Sequence, residues 1–156
     1  IGHLQRNKVK DAVKLADVLE SVHSLPVLEA VAAEARKAGK RQPVFLQVNI
    51  SQDSSKSGFA PDEVVAAVGA ARALSDAISL QGLMTITALY DTAEEARGDF
   101  RRMAAMRSEL VSGGYDAAFE NALIQLSMGM SADFAVAIEE GADLVRVGTA
   151  LFAERE

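Results

Sequence analysis

The sequence of 156 residues contains no cysteine. This absence excludes a disulfide framework, a thiol nucleophile and a cysteine-ligated zinc site, and it is typical of proteins in a reducing cytoplasm. The sequence also lacks an apolar run of the roughly 18 residues that a membrane-spanning helix needs. We therefore expect a cytoplasmic protein without membrane spans.

Basic residues are scarce relative to acidic ones. The chain has 16 Lys and Arg against 22 Asp and Glu, which gives a formal net charge of −6 at pH 7. That balance argues against sequence-independent binding to nucleic acid or to an anionic membrane surface. The motifs HExxH and GxxxxGK(S/T) are absent as well, so neither metal-dependent hydrolysis nor nucleoside triphosphatase chemistry is supported.

Short β-branched runs alternate with longer helical patterns along the chain. Most of these runs are continuously apolar, as expected of parallel strands that are covered on both faces. The predicted strands are 21–23, 44–50, 80–87, 123–127 and 144–147, with residues 1–2 as the end of another. The composition, 49% apolar and 24% charged without a linker, predicts one globular domain over residues 1–156.

Helical spacing of apolar residues, together with capping signals, fills the segments between the strands. The predicted helices are 4–19, 26–38, 61–74, 92–110, 131–141 and a last one from residue 148 onward. This alternation predicts an α/β fold, either an open doubly wound sheet or a (β/α)8 barrel. In both architectures functional residues follow the carboxyl ends of the strands.

Two consecutive predicted strands end in small residues beside a helix start. Ser131 follows the first of them, and Gly148 and Thr149 follow the second. Backbone amides, two hydroxyls and two helix N-termini at one place predict a phosphate site. The alternative for each feature alone is ordinary: Ser131 as a helix N-cap and Gly148-Thr149 as a turn.

Arg146 lies inside an apolar predicted strand, where an unpaired guanidinium would be costly to bury. Its fixed fork of donors could hold a carboxylate, or could donate to a ring nitrogen and keep that nitrogen unprotonated. The alternative is a structural salt bridge to a carboxylate such as Asp143 or Glu139. The residues alone leave both open.

Five motifs stand in order along the chain: GHLQRNK (2–8), QVNIS with SKSGF (47–51 and 55–59), GLMTI (82–86), LSMGMSADF (126–134) and VRVGTALF (145–152). Together they resemble the YggS/PROSC family of pyridoxal phosphate homeostasis proteins. The resemblance covers the whole chain from Ile1 to Glu156.

The resemblance implies a (β/α)8 TIM barrel of the alanine racemase N-terminal type. Such a protein binds pyridoxal 5′-phosphate and buffers or delivers it, without established catalytic turnover. Ser131, Gly148 and Thr149 would hold the 5′-phosphate, and Arg146 would face the pyridine nitrogen, which makes the cofactor a poorer electron sink. The remaining implied pocket residues are Ser127, Met128 and Asn49.

One feature of the family is not matched in this sequence. Family members carry a Schiff-base lysine at the end of the first barrel strand, and neither Lys8 nor Lys56 corresponds to it. We therefore expect an incomplete barrel, approximately strands 3 to 8, truncated at its N-terminus. The intact protein would be a monomer, whereas this fragment would associate through its exposed strand edges.

Two other functions remain as alternatives. One is a pyridoxal-phosphate-dependent enzyme resembling an amino-acid racemase, and the other is a barrel that binds a different phosphorylated metabolite. A racemase of the alanine type would continue past the barrel into a β-rich domain that supplies a tyrosine base, which favours the homeostasis role. The metabolite alternative accounts for the phosphate site but not for five ordered motifs.

Overall fold

A computed structural model of the chain describes residues 1–152, in which five strands alternate with six α-helices. The strands are β1 (Leu19–Val22), β2 (Gln42–Gln47), β3 (Ile78–Met84), β4 (Gln125–Met130) and β5 (Leu144–Arg146). The helices are α1 (Val9–Leu15), α2 (Leu25–Lys37), α3 (Val64–Ala73), α4 (Arg97–Ser112), α5 (Phe134–Glu139) and α6 (Thr149–Phe152). Within these residues no helix has both the length and the apolar character that crossing a membrane requires.

The order of the strands decides between the two predicted architectures. The strands stand in the sheet in chain order, β1-β2-β3-β4-β5, and each neighbouring pair is parallel. A doubly wound open sheet reverses its strand order at a switch point, whereas a (β/α)8 barrel adds each strand on the same side. The described residues therefore form an arc of a parallel (β/α) barrel, as predicted.

The sheet is buried on both of its faces. Phe45 and Leu46 are neighbours in β2, so their side chains point to opposite faces, yet they are only 2% and 0% exposed. In β3, Leu83 and Met84 show the same pattern. This two-sided burial is the reason why the strands read as continuous apolar runs.

The first helix is shorter than its apolar spacing predicts. Residues 4–19 were expected to be helical, but α1 ends at Leu15, whose side chain is 80% exposed. Leu19 fits the helical spacing, yet it belongs to β1 and pairs with Val44. The prediction was wrong here because the burial of Leu19 comes from the sheet and not from a helix face.

The strand predicted at Ile1-Gly2 is absent from the described residues, which contain five strands and not six. The only strand that pairs with β1 in this part of the chain is β2, so residues 1–2 have no ladder to join. The helix predicted from residue 148 begins as α6, and its predicted residues 153–156 lie outside the described part of the chain.

Strand boundaries differ from the predictions where a polar residue enters the sheet. β2 begins at Gln42, two residues before the predicted start, and Gln42 is fully buried. Its backbone N–H donates to Ala77 O at 2.8 Å, and its side-chain amide donates to Asp17 O at 3.0 Å. These hydrogen bonds satisfy donors of Gln42, while its side-chain oxygen has no partner among the described residues. A buried polar residue of this kind cannot be located from an apolar pattern alone.

Gly129 allows α5 to pack closely against β4. Its φ of +94° is a conformation that favours glycine, and a Cβ atom at this position would lie 2.6 Å from the Cβ of Ala137. Gly69 differs in both respects, because it lies within α3 with open space where a Cβ would project. Gly69 can therefore serve as the control for a substitution of Gly129.

We predict that Gly129→Ala lowers the free energy of unfolding by about 3 kcal/mol, through backbone strain and overpacking combined. Gly69→Ala should instead raise it by about 0.5–1 kcal/mol, since alanine favours a helix interior. Urea denaturation followed by circular dichroism measures both. Equal effects of the two substitutions would contradict this interpretation.

An ion-pair network around Arg97 joins α4 to α5. Arg97 pairs with Glu94, with Glu139 at 2.7 Å and with Glu140 at 2.5 Å. The hydrogen bond from Arg97 holds the pKa of Glu94 below the ordinary value of 4.5, and the same donor does so for Glu140. Because these pKa values are lowered in the folded state, the network stabilises the fold above pH 4.5 and loses this effect as pH falls.

We therefore predict that the melting temperature of the wild-type protein falls more steeply between pH 6 and pH 3 than that of Arg97→Gln. The variant has already lost the interaction that protonation removes. Differential scanning calorimetry across this range measures the difference, with the exposed Arg72→Gln as the control. Parallel pH profiles for wild type and Arg97→Gln would rule out this coupling.

Candidate functional site

The loops after β4 and β5 meet at the carboxyl edge of the sheet. The backbone N–H of Gly148 donates to the Ser131 hydroxyl oxygen at 3.0 Å. Thr149 follows Gly148 directly as the first residue of α6, and it is exposed. The three residues predicted to hold a phosphate thus come from two adjacent strand ends, and the structure brings them together.

The N-cap of α5 is Asp133 and not Ser131. The ordinary alternative for Ser131, a role as helix cap, is therefore wrong, because the serine lies two residues before the cap. Its hydroxyl instead accepts the hydrogen bond from the following strand's loop. A hydroxyl at this place can serve a ligand as donor or acceptor.

Asp133 fastens this loop to the end of β3. One carboxylate oxygen accepts the backbone N–H of Met130 at 2.6 Å, and the other accepts the Thr87 hydroxyl at 3.2 Å. Sequence reasoning did not identify this second role of Asp133. The only indication of this role in the sequence is that Asp133 is an acidic residue two positions after Ser131.

Arg146 lies at the carboxyl end of β5 with its guanidinium largely enclosed. Nη1 donates to the Ser127 hydroxyl at 2.6 Å, and Nη2 donates to Thr85 O at 2.6 Å. Nε is buried without a hydrogen-bond partner among the described residues. Burial lowers the pKa of Arg146, an effect that the charges of Glu20 and Asp133 oppose.

Asp143 and Glu139, the two carboxylates named as examples of a salt-bridge partner for Arg146, are occupied elsewhere, and a different carboxylate forms the salt bridge. Asp143 accepts from Arg107 at 3.0 Å and from the backbone N–H of Leu126 at 2.8 Å. Glu139 pairs with Arg97. Asp143 precedes β5 while Arg146 ends it, so the two side chains lie at opposite ends of the strand.

The carboxylate that does face Arg146 is Glu20 of β1, with 3.8 Å between Glu20 Oε2 and Arg146 Nη1. Glu20 Oε2 also accepts the hydroxyl hydrogen of Ser127 at 2.8 Å. Sequence reasoning missed this residue because it placed Leu19 in a helix and began the strand at Ser21. The sequence did contain a signal for Glu20, because a single charged residue stands between the apolar residues Leu19 and Val22, just as Arg146 stands between apolar residues in its own strand.

Ser127 and Met128 lie on opposite faces of β4. Ser127 is fully buried and contacts Arg146 and Glu20, whereas Met128 is fully buried in the main apolar core. Alternation along the strand separates the two side chains. The predicted role of Ser127 is therefore compatible with its position, and Met128 lies among core residues.

Asn49 orders the loop that follows β2. Its side-chain N–H donates to Asp53 O at 2.9 Å, and its side-chain oxygen accepts the Asp53 N–H at 3.2 Å. These bonds lie within the loop itself, at a distance along the sheet from the ends of β4 and β5. Its predicted pocket role stays a prediction.

The family model described as alanine racemase, N-terminal domain, matches residues 1–156 of this chain. The chain belongs to this family. The match confirms the fold class expected from the five ordered motifs.

Three curated relatives share the name pyridoxal phosphate homeostasis protein. The pyridoxal phosphate homeostasis protein of Mus musculus is 36% identical over 161 residues, covering all of this chain and 58% of that protein. Those of Aquifex aeolicus and Pseudomonas aeruginosa are 36% and 38% identical, with 66% and 64% of their lengths covered. The chain thus spans about three fifths of the length of these relatives. Their identities and shared name confirm the resemblance to the YggS/PROSC family.

Solved structures agree with this assignment. PipY of Synechococcus elongatus without pyridoxal phosphate is 34% identical with a TM-score of 0.88, covering 98% of this chain and 69% of that one. PipY with pyridoxal phosphate bound is 33% identical with a TM-score of 0.86, at 98% and 68% coverage. An alanine racemase of Clostridium difficile, at 21% identity, TM-score 0.72 and coverage of 99% and 41%, shares the fold.

We predict that Asp133→Ala releases the loop after β4 from the end of β3. The Met130 amide then loses its acceptor, and its hydrogen exchange should accelerate about tenfold, as expected for one lost hydrogen bond to a charged group. Exchange measured by NMR, with Asp62→Ala as an exposed acidic control, tests this. Unchanged protection at Met130 in Asp133→Ala would contradict it.

Proposed function

We propose that this chain supplies the phosphate- and ring-binding part of a cytoplasmic protein of pyridoxal 5′-phosphate homeostasis. The observation that carries the proposal is the buried Nε of Arg146, which has no hydrogen-bond partner among residues 1–152, at the end of a strand whose following loop contacts Ser131 through Gly148. The names of the relatives and the pyridoxal phosphate bound to PipY support it.

The residues after β4 and β5 fit a phosphate group. Ser131 and Thr149 offer hydroxyls, and Gly148 offers a backbone N–H that already donates to Ser131. Gly148 also has open space where a Cβ would project, so an anion can approach its backbone closely. We infer that these three residues hold the 5′-phosphate.

Arg146 fits the ring nitrogen. A guanidinium donates and cannot accept, so it would bind an unprotonated pyridine nitrogen and disfavour a pyridinium. Two of its nitrogens are held by Ser127 and Thr85 O, and the buried Nε is a donor without an acceptor in the described part of the chain. When bound, pyridoxal 5′-phosphate supplies an aldehyde and an electron-withdrawing ring.

We further propose that the protein binds this cofactor without catalytic turnover. Support comes from relatives named for homeostasis, although the fold is shared with enzymes such as alanine racemase. Arg146 argues in the same direction, because a guanidinium at the ring nitrogen weakens the ring as an electron sink. Formation of D-alanine from L-alanine in the presence of the cofactor, measured by chiral chromatography, would overturn this part of the proposal.

Binding of pyridoxine 5′-phosphate tests the proposed site. This ligand carries an alcohol in place of the aldehyde, so surface lysines cannot react with it. We expect measurable affinity for the wild-type chain by calorimetry, and affinities reduced about tenfold or more in Arg146→Ala and Ser131→Ala.

Two exposed residues provide matched controls, Arg72→Ala on α3 and Ser108→Ala on α4, and neither should change the affinity. Ribose 5-phosphate serves as a phosphorylated ligand without the pyridine ring. Binding of ribose 5-phosphate as tightly as pyridoxine 5′-phosphate would favour a different phosphorylated metabolite. Wild-type affinity in both site variants would remove the proposed pocket.

A further inference from the structure

Glu20 and Arg146 meet across the interior of the sheet arc through a shared serine. Glu20 comes from β1 and Arg146 from β5, the two strands at opposite ends of the sheet order. Ser127 of β4 lies between them, 2.8 Å from Glu20 Oε2 and 2.6 Å from Arg146 Nη1. Glu20 and Ser127, which are 107 positions apart in the chain, are thus joined directly, and Ser127 extends the connection to Arg146.

The carboxylate of Glu20 fixes the direction of the Ser127 hydroxyl. A serine hydroxyl has one hydrogen to donate and two lone pairs to accept with. An ionised carboxylate only accepts, so the hydrogen points to Glu20 and a lone pair is left for the N–H of Arg146. Without Glu20 the hydroxyl would be free to rotate away from this arrangement.

Arg146 is consequently held at both terminal nitrogens. Nη1 is fixed by the Glu20–Ser127 pair and Nη2 by Thr85 O. The carboxylate also balances the buried positive charge at 3.8 Å, where the side chain of Arg146 is 9% exposed and that of Glu20 is 18% exposed. The orientation of the plane that carries the unpartnered Nε therefore depends on Glu20.

We propose that Glu20 is a positioning residue, which sets the direction in which Arg146 presents its free Nε donor to a ring nitrogen. This inference rests on the proposed function. Glu20 acts through Arg146 and contributes nothing to holding the phosphate, because Ser131, Gly148 and Thr149 follow the ends of β4 and β5 and Glu20 lies within β1. It therefore sets the preference of the site for a nitrogen heterocycle over a bare phosphate.

NMR titration of the wild-type chain with two separate probes tests the proposal. Pyridoxine 5′-phosphate reports on ring and phosphate together, and inorganic phosphate, followed at the Gly148 amide, reports on the phosphate contacts alone. We expect Glu20→Ala to weaken the first about tenfold and to leave the second unchanged. Glu20→Gln keeps an acceptor for Ser127 but loses the charge, so it should show a smaller loss and covers the case in which Glu20→Ala fails to fold.

A double variant, Glu20→Ala combined with Arg146→Ala, tests whether Glu20 acts by positioning Arg146 or through a general effect on the structure. If Glu20 acts through Arg146, adding Glu20→Ala to Arg146→Ala should cause no further loss of pyridoxine 5′-phosphate affinity. The exposed Glu29→Ala is the charge-matched control and should behave as wild type.

Three results would overturn the proposal. The first is unchanged affinity for pyridoxine 5′-phosphate in both Glu20 variants, and the second is an equal loss of affinity for both probes. The third is a loss of affinity from Glu20→Ala that is as large in the Arg146→Ala variant as in the wild type. Each can occur while the wild type binds pyridoxine 5′-phosphate, and then only the role of Glu20 falls. A wild-type chain that binds neither probe would instead refute the proposed function, and this inference with it.

Discussion

A buried guanidinium must have its charge balanced and its donors satisfied, and Arg146 imposes this requirement on the whole carboxyl side of the sheet. Its terminal nitrogens take Ser127 of β4 and the carbonyl of Thr85 at the end of β3, while Glu20 of β1 faces the same group. Four of the five strands are thus set relative to one another by contacts to one side chain. Both the packing of the sheet interior and the chemistry of the site follow from this arrangement.

The loops at the rim are fastened by a second set of contacts. Ser131 and Gly148 join the loops after β4 and β5, and Asp133 joins the β4 loop to Thr87. Farther along the rim, the buried carboxylate of Asp99 on α4 accepts the hydroxyls of Ser51 and Tyr90, the latter at 3.0 Å. The loops that follow β2, β3 and β4 are therefore tied to the scaffold, which pre-organises the groups they carry.

The proposed recognition of pyridoxal 5′-phosphate divides between two parts of this framework. Phosphate contacts would come from loop hydroxyls and a backbone N–H, whereas the ring contact would come from a side chain inside the sheet. The two parts are joined by β5, since Arg146 ends that strand and Gly148 lies two residues later. The single motif VRVGTALF (145–152) therefore contains the residue proposed for the ring contact and two of those proposed for the phosphate.

Much of the fold was predictable from local patterns. Apolar runs and helix capping signals gave the five strands, the helices between them and the α/β class, because periodicity and caps depend on neighbouring residues. The segment predicted as a helix from residue 92 is an example: Thr92 is the N-cap of a 3-10 turn over Ala93–Ala96 that leads into α4, and Glu95 accepts the Thr92 N–H at 2.9 Å. Boundaries failed where burial came from distant partners, as for Leu19 and Gln42.

The need of Arg146 for a partner, and the position of Ser131, Gly148 and Thr149 after strand ends, can be inferred from the residues alone. The identity of the partners, Ser127, Thr85 and Glu20 in place of the nearby Asp143 and Glu139, depends on the folded chain. The physical reason is that parallel strands bring together residues that are far apart in the chain, whereas residues close in sequence can point to different faces or different ends of one strand. The need for a partner can therefore be inferred from a sequence, but its identity depends on strand order and register.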